Sequence, residues 1–144
     1  MSIQAEFIDV HCKADFLDKF IVRGSIVSAL KRALPHIRGT VLDVGCGRMP
    51  YREMILSPPS GATKYLGLDL ARAAYAAQPD LAWDGEHIPL SDNAVECTLA
   101  TEVFEHCPGP ERVMHEIKRV LKPGGMLFFT VPFLWPLHEV PYDE

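Results

Sequence analysis

The stretch VLDVGCG, residues 41–47, decides the fold of this chain. Its apolar, β-branched run is typical of a strand that is buried on both faces, as in a parallel sheet. Gly45 and Gly47 follow with one residue between them, and glycine lets a backbone turn tightly and approach a ligand closely. We therefore predict a strand over 40–45 that leads into a ligand-binding loop, with Asp43 supplying a carboxylate beside it.

Four further strands are predicted downstream, over residues 64–70, 81–83, 95–100 and 126–131. Apolar spacing predicts helices over 23–34 and 111–121, and shorter helical segments over 51–56 and 71–78. Strands that alternate with helices through short connections indicate a doubly wound, mostly parallel α/β sheet. Right-handed crossovers place the first strand in the middle, and the ligand site then lies beyond the carboxyl ends of the strands.

A second carboxylate, Asp69, ends the second predicted strand. At that place a carboxylate can accept hydrogen bonds from both hydroxyls of a ribose. A P-loop is excluded because no Gly-Lys-Ser/Thr sequence follows the glycines, and Pro50 stands where the dinucleotide fingerprint GxGxxG requires its third glycine. We therefore expect a ligand that contains ribose but no diphosphate.

Charge and composition exclude several other classes. The 14 basic and 19 acidic residues give a net charge of −5, and no run of five basic residues is present, so a nucleic-acid partner is not expected. Four of the basic residues, Arg112, Lys118, Arg119 and Lys122, are expected to form a solvated helix face. No apolar run reaches the ~18 residues that a membrane span needs.

The cysteines and the start of the chain point to the cytoplasm. The four cysteines lack CxxC spacing, so we expect idle thiols in a reducing compartment rather than a disulfide scaffold or a metal site. Residues 1–10 have neither the basic start nor the apolar core of a signal peptide. The sequence therefore predicts a cytoplasmic protein with no metal and no membrane association.

Five segments, in this order, resemble the motifs of the class I S-adenosylmethionine-dependent methyltransferases, especially their type 11 branch. They are VLDVGCG (41–47), YLGLDL (65–70), WDGEHIPLSDNAVE (83–96), TEVFEH (101–106) and LKPGGMLFFTVP (121–132). Each motif is weak by itself, but five in the family's order are specific. The resemblance implies a Rossmann-like methyltransferase fold with strand order 3-2-1-4-5, in which strands 6 and 7 are absent.

The resemblance also implies where S-adenosylmethionine would bind, and S-adenosylhomocysteine after the reaction. The loop of Gly45, Cys46 and Gly47, together with Asp43, would hold the amino-acid portion of this cofactor. Asp69 would hold the ribose hydroxyls.

The adenine side of the site follows from the third and fourth motifs in the same way. Asp84 would accept a hydrogen bond from the adenine amino group, with the amide of Gly85 facing the ring. Leu70 and Ile88 would form apolar walls on either face of the ring. Thr101, which begins the fourth motif, is a further cofactor-binding candidate outside the adenine side.

Two histidines near the strand ends, His106 and His138, are the candidates for a general base. A base assists methyl transfer only where the acceptor carries a proton to lose. His106 could equally cap a short helix end beside Pro108. The acidity and the short length favour a small-molecule acceptor.

The chain is expected to form one domain over residues 1–144, because its length is close to the modal domain size and 48% of its residues are apolar. We divide it into a possible N-terminal cap (1–22), a cofactor-binding core (23–131) and an apolar C-terminal tail (132–144). Without strands 6 and 7, strand 5 would be an exposed edge. This predicts either a homodimer through that edge or the tail, or a chain shortened from a longer protein.

Two rival functions remain open at this point. One is a cofactor-binding but inactive fragment, subunit or pseudo-enzyme. The other is a nicotinamide-dependent oxidoreductase, against which Pro50, Asp84 and the KPGG turn all count.

Overall fold

A computed structural model describes residues 4–9, 17–71 and 78–132 of the chain. Its centre is one five-stranded sheet, formed by β1 (Arg38–Val44), β2 (Gly61–Leu70), β3 (Leu81–Trp83), β4 (Val95–Thr101) and β5 (Leu121–Thr130). The order across the sheet is β3-β2-β1-β4-β5, and every neighbouring pair is parallel. The predicted strand order is therefore confirmed.

Within the described residues, three α-helices accompany the sheet: α1 (Leu17–Ala33), α2 (Arg52–Ile55) and α3 (Pro110–Val120). Short 3₁₀ turns follow α1 at Leu34–His36 and precede α3 at Phe104–His106, and a π-helical turn spans Gln4–Ile8. None of the helices in the part of the chain that the structure describes is long and apolar enough to cross a membrane.

Two apolar layers cover the two faces of the sheet, as the alternation along β1 requires. Val41 packs in the layer under α1 and α2, with Leu30 and Ile55. Its neighbour Leu42 packs in the opposite layer, which includes Ile117 of α3. Helices on both faces explain why β1 is apolar almost without interruption, and they confirm the doubly wound fold class.

The spacing of apolar residues in α3 determines which face of the helix packs against the sheet. Val113, Ile117 and Val120 are buried on one face of the helix, while most of the remaining positions are charged. Pro110 begins the helix, where a missing backbone N–H removes no hydrogen bond.

The ends of several elements differ from the prediction. Helix α1 begins at Leu17 rather than at residue 23. The sequence did not predict its first turns because their apolar side chains are exposed and form no single apolar face. The predicted cap boundary at residue 22 therefore falls inside the helix. Strand β5 begins at Leu121 and includes the KPGG turn, with an irregular register opposite Val95 and Cys97. The helical segment predicted over 71–78 lies almost entirely outside the described residues.

We predict that Leu30→Ala lowers the free energy of unfolding by about 2–5 kcal/mol, because Leu30 is fully buried between α1 and the sheet. The matched control Leu56→Ala, at a 42% exposed leucine, should cost about 1 kcal/mol or less. Urea unfolding measures both. Equal losses in the two variants would contradict this packing.

Candidate functional site

The glycine loop follows the carboxyl end of β1 and is hydrogen-bonded to the carboxyl end of β2. The backbone N–H groups of Gly45 and Cys46 both donate to the carbonyl oxygen of Leu68, at 2.8 and 3.0 Å. Gly45 and Gly47 have φ angles of +68° and +51°, in the left-handed region that favours glycine. The two glycines thus allow the turn that the strand end requires.

The two glycines differ in their surroundings. A Cβ atom at Gly45 would lie 2.6 Å from Cγ2 of Val103, so packing against the segment after β4 leaves no room for a side chain. A Cβ atom at Gly47 would meet nothing within 4 Å. Gly47 therefore borders open space, and this is the cradle that a ligand close to the loop backbone would need.

Asp69 ties the end of β2 to the glycine loop. Its Oδ2 accepts the N–H of Gly47 at 2.7 Å, and its Oδ1 accepts the N–H of Leu70 at the same distance. The residue is only 8% exposed. An ionised carboxylate has about four acceptor positions, so each oxygen retains capacity for a hydroxyl donor.

Asp43 is buried under the same loop. The hydroxyl of Tyr65 donates to its Oδ2 in a short hydrogen bond, while its buried Oδ1 has no hydrogen-bond partner among the described residues. Burial raises the pKa of Asp43 to about 7, against the opposing effect of the Tyr65 hydrogen bond, and the charge of Asp69 adds to the rise. Oδ1 of Asp43 is thus an acceptor that no described residue uses.

Cys46 takes part through its backbone and not through its thiol. Its side chain is buried against β2, where a Cβ at Gly67 would lie 2.9 Å from the Sγ atom. Burial, together with the charges of Asp43, Asp69 and Asp80, raises the pKa of this thiol to about 12. The thiol is therefore neutral and not reactive at physiological pH.

The ends of β2 and β3 bring together three of the four residues predicted on the adenine side. Oδ1 of the exposed Asp84 accepts the N–H groups of His87 and Glu86, both at 2.8 Å, and these bonds lower the pKa of Asp84. Gly85 has a φ of +90°, and a Cβ there would lie 3.4 Å from Cδ2 of the half-exposed Leu70.

The fourth, Ile88, lies elsewhere. Its side chain is fully buried in the apolar layer beside α3, so the prediction that it forms an open wall is wrong. The reason is that the loop turns inward after Asp84 and buries the Ile88 side chain in the core, with Leu90 packed against the same apolar layer. Thr101, at the end of β4, is half-buried and is paired in register with Thr130 of β5.

His106 lies in the 3₁₀ turn after β4, three residues beyond the Val103 that packs on Gly45. Its Nε2 is 3.8 Å from Oε1 of Glu105, and the side chain is 30% exposed. The rings of Phe104 and Phe129 pack edge to face at 5.6 Å and fix this turn against β5. His138 lies outside the described residues.

Sequence reasoning missed three polar contacts around the loop. Tyr65 could have been found from the strand register, because it pairs with Val41 and so lies on the same face as Asp43. Arg48 forms an ion pair with Glu6 at 2.8 Å that brings the N-terminal turn to the loop, and no local pattern signals it. Arg119, expected on a solvated face, is instead half-buried and bonded to the loop after β3.

No group of three or more His, Cys, Asp or Glu side chains within residues 4–9, 17–71 and 78–132 is arranged to hold a metal ion. The polar groups that converge on the strand ends are instead carboxylates and backbone N–H groups. These bind hydroxyl, ammonium and amino donors and carbonyl or carboxylate acceptors.

The raised pKa of Asp43 predicts a pH-dependent stability in the absence of ligand. Between about pH 4 and pH 7 the folded chain holds a proton on Asp43 that the unfolded chain has lost, so stability falls as pH rises through this window. Asp43→Asn should remove that slope and be more stable than the parent at pH 8, by up to roughly 4 kcal/mol. Urea unfolding at pH 5 and pH 8 measures the difference.

The control for this prediction is Asp84→Asn. The pKa of Asp84 is lowered, so its carboxyl is ionised throughout the same window and its removal should leave the slope unchanged. A slope that persists in Asp43→Asn would contradict the assignment.

Comparison with known proteins agrees with this geometry. Residues 42–129 match the family described as methyltransferase domain. The chain is 34% identical over 125 residues to a malonyl-[acyl-carrier protein] O-methyltransferase of Alcanivorax borkumensis, with 81% of this chain and 42% of that protein covered. It is 42% identical over 105 residues to an uncharacterised methyltransferase of Mycobacterium bovis, with 69% and 42% covered.

A solved structure shows the same fold. The S-adenosylmethionine-dependent methyltransferase from Mesorhizobium loti superposes with a TM-score of 0.58 at 25% sequence identity, over 73% of this chain and 52% of that one. The chain thus spans 42% of the length of both curated relatives named above. The family match, the strand order and the glycine loop lead to one conclusion: the chain belongs to the class I S-adenosylmethionine-dependent methyltransferase family, in its type 11 branch.

Proposed function

We propose that this chain binds S-adenosylmethionine and transfers its methyl group to a small-molecule acceptor in the cytoplasm. The observation that carries the proposal is the Asp69 carboxylate, which bridges the end of β2 to the N–H of Gly47 beside open space. Asp69 would accept hydrogen bonds from the ribose hydroxyls, and the loop backbone, together with Asp43 beneath it, would hold the amino-acid portion of the cofactor.

The adenine would lie at the ends of β2 and β3. Leu70 offers an exposed apolar side chain next to Gly85, and Asp84 offers a carboxylate whose second oxygen can accept an amino donor. Cys46 would contribute only its backbone, and Thr101 would border the reacting end from β4. Ile88 supports this loop from within the core rather than contacting the ring.

The bound cofactor supplies an activated methyl group on a sulfonium. The contribution of the chain is orientation, because alignment of the reacting groups alone can supply ~7–11 kcal/mol. His106, in the turn against the glycine loop, is our candidate for accepting a proton from the acceptor, and His138 keeps the same proposed role. A base of this kind contributes about 10²–10⁴-fold.

Assembly of the chain is also a proposal. Strand β5 lies at one edge of the sheet, and Phe129 and Val131 near its end are about half exposed. A homodimer closed through this edge or through residues 132–144 would cover these side chains. Light scattering tests this, and a purely monomeric species would contradict it.

The cofactor proposal is tested by calorimetric titration of the chain with S-adenosylhomocysteine and, in a separate control titration, with NADH. We expect micromolar binding of the first only, and a loss of about tenfold or more in Asp69→Asn, since charge-assisted hydrogen bonds to the ribose are lost. Glu111→Gln, at an exposed position of α3, is the matched control and should bind as the parent does.

Binding of NADH alone would overturn the proposal in favour of an oxidoreductase. Binding of S-adenosylhomocysteine without any methyl transfer to a panel of small-molecule acceptors would favour the inactive alternative.

We expect alanine substitution of the two loop glycines to have different effects, on ligand binding at Gly47 and on stability at Gly45. Gly47→Ala places its methyl group in open space, so it should cost only the ~1–2 kcal/mol of a left-handed alanine while weakening S-adenosylhomocysteine binding by about tenfold or more. Gly45→Ala meets Val103 and should lose about 3 kcal/mol or more of stability. Adding Val103→Ala should relieve the clash at Gly45.

Thermal unfolding and calorimetry on the same samples separate the two effects. Equal loss of stability in both alanine variants, with binding unchanged at Gly47→Ala, would contradict the assignment of the cradle.

A further inference from the structure

The loop between β3 and β4, residues 84–94, is held by hydrogen bonds from one place on α3. The N–H of Ile88 donates to Oε2 of Glu116 at 2.9 Å. The guanidinium of Arg119 donates to the carbonyl oxygens of Ile88 and Leu90, at 2.9 and 2.8 Å. Both polar backbone groups of Ile88 are therefore bonded to an ion pair of side chains and not to another strand.

The two α3 side chains are locked to each other before they reach the loop. Arg119 donates to both oxygens of Glu116, at 2.7 Å each. It also donates to Oδ1 of Asp92 at 2.9 Å. The side chains of Glu116 and Arg119 are 15% and 24% exposed. A bidentate pair with this little solvent is far more rigid than a surface ion pair.

The Glu116–Arg119 pair stays ionised across the pH range in which proteins are folded. The hydrogen bonds of Arg119 lower the pKa of Glu116 to about 2, and those of Glu116 raise the pKa of Arg119. His87 lies 3.1 Å from Glu116, but it is 69% exposed. The bonds between Glu116 and Arg119 therefore do not switch on or off near neutral pH.

What this pair fixes is the turn that carries the adenine-side groups. Asp84 closes that turn by accepting the N–H groups of Glu86 and His87, the two residues immediately before Ile88. The Ile88 side chain is fully buried in the apolar layer beside α3. The buried Ile88 side chain and the Glu116–Arg119 pair thus both anchor the end of this turn, in which Gly85 lies next to Leu70.

We propose that Glu116 and Arg119 are positioning residues for adenine recognition, which hold Asp84 and Gly85 at the distance that distinguishes an amino group from a carbonyl on the purine. The inference rests on the proposed function and adds a determinant of cofactor selectivity. Neither side chain contacts the ligand; each acts through the backbone of Ile88. Lysine cannot replace Arg119, because its single ammonium lacks the planar set of donors that serves five acceptor atoms here.

A second ion pair joins the same loop to the same helix and supplies the control. Arg112 lies 3.5 Å from Glu86, and both side chains are more than 70% exposed, at 72% and 74%. Such a pair contributes little to position. Arg112→Gln therefore removes a loop-to-α3 charge contact without disturbing the loop backbone.

The test is titration calorimetry of the full chain with S-adenosylhomocysteine and with S-inosylhomocysteine, in which a carbonyl replaces the amino group. The parent and Arg112→Gln should prefer the adenine ligand by about tenfold or more, the worth of one hydrogen bond to a charged group. In Arg119→Gln and Arg119→Lys that preference should fall towards one, with the loss falling mainly on S-adenosylhomocysteine. A purely structural role would weaken both ligands equally.

Amide hydrogen exchange gives a second measurement that needs no ligand. The Ile88 amide should exchange at least about tenfold faster in Arg119→Gln, while amides in the middle of α3 stay protected. Should Arg119→Gln not fold, the isosteric Glu116→Gln is used with the same two measurements.

The outcomes are distinguishable. An unchanged ligand preference in folded Arg119→Gln, or failure of both Arg119→Gln and Glu116→Gln to fold while Arg112→Gln folds, would overturn this inference alone. A parent chain that binds neither ligand would overturn the proposed function, and this inference with it.

Discussion

The site depends on one hydrogen bond, from the backbone N–H of Gly47 to the carboxylate of Asp69, at 2.7 Å. Parallel strands place their carboxyl ends at one edge of a sheet, and in this sheet β2 is the direct neighbour of β1. The bond joins the two strand ends and aims the remaining acceptor capacity of Asp69 at the open space beside Gly47. The position of the glycine loop and the proposed cofactor geometry both depend on that junction.

Three carboxylates around the site have different surroundings. Asp43 is buried, and its pKa is raised to about 7. Asp84 is exposed and accepts two backbone N–H groups, which lower its pKa. Asp69, at the end of β2, is bonded to two backbone N–H groups. Under the proposed function, Asp43, Asp84 and Asp69 would serve the amino-acid portion, the adenine and the ribose of the cofactor, respectively.

The sequence predicts the strand order and the glycine loop because both are written locally, in apolar runs, turn glycines and strand-end carboxylates. It does not predict which long side chains turn inward. Ile88 matches an exposed wall by motif, yet it fills the core, and Arg119 matches a solvated helix face, yet it bonds to backbone carbonyls of Ile88 and Leu90. Such contacts depend on the distance between α3 and the loop after β3, which no local pattern encodes.

The most direct measurement is a crystal structure of the chain with S-adenosylhomocysteine. We expect both ribose hydroxyls to lie within hydrogen-bond distance of the Asp69 carboxylate. The amino-acid portion should lie against Gly45 and Gly47, and the adenine beside Leu70 and Asp84. A ligand bound away from the carboxyl ends of β1 and β2, or bound there with Asp69 directed away from the ribose, would contradict this expectation.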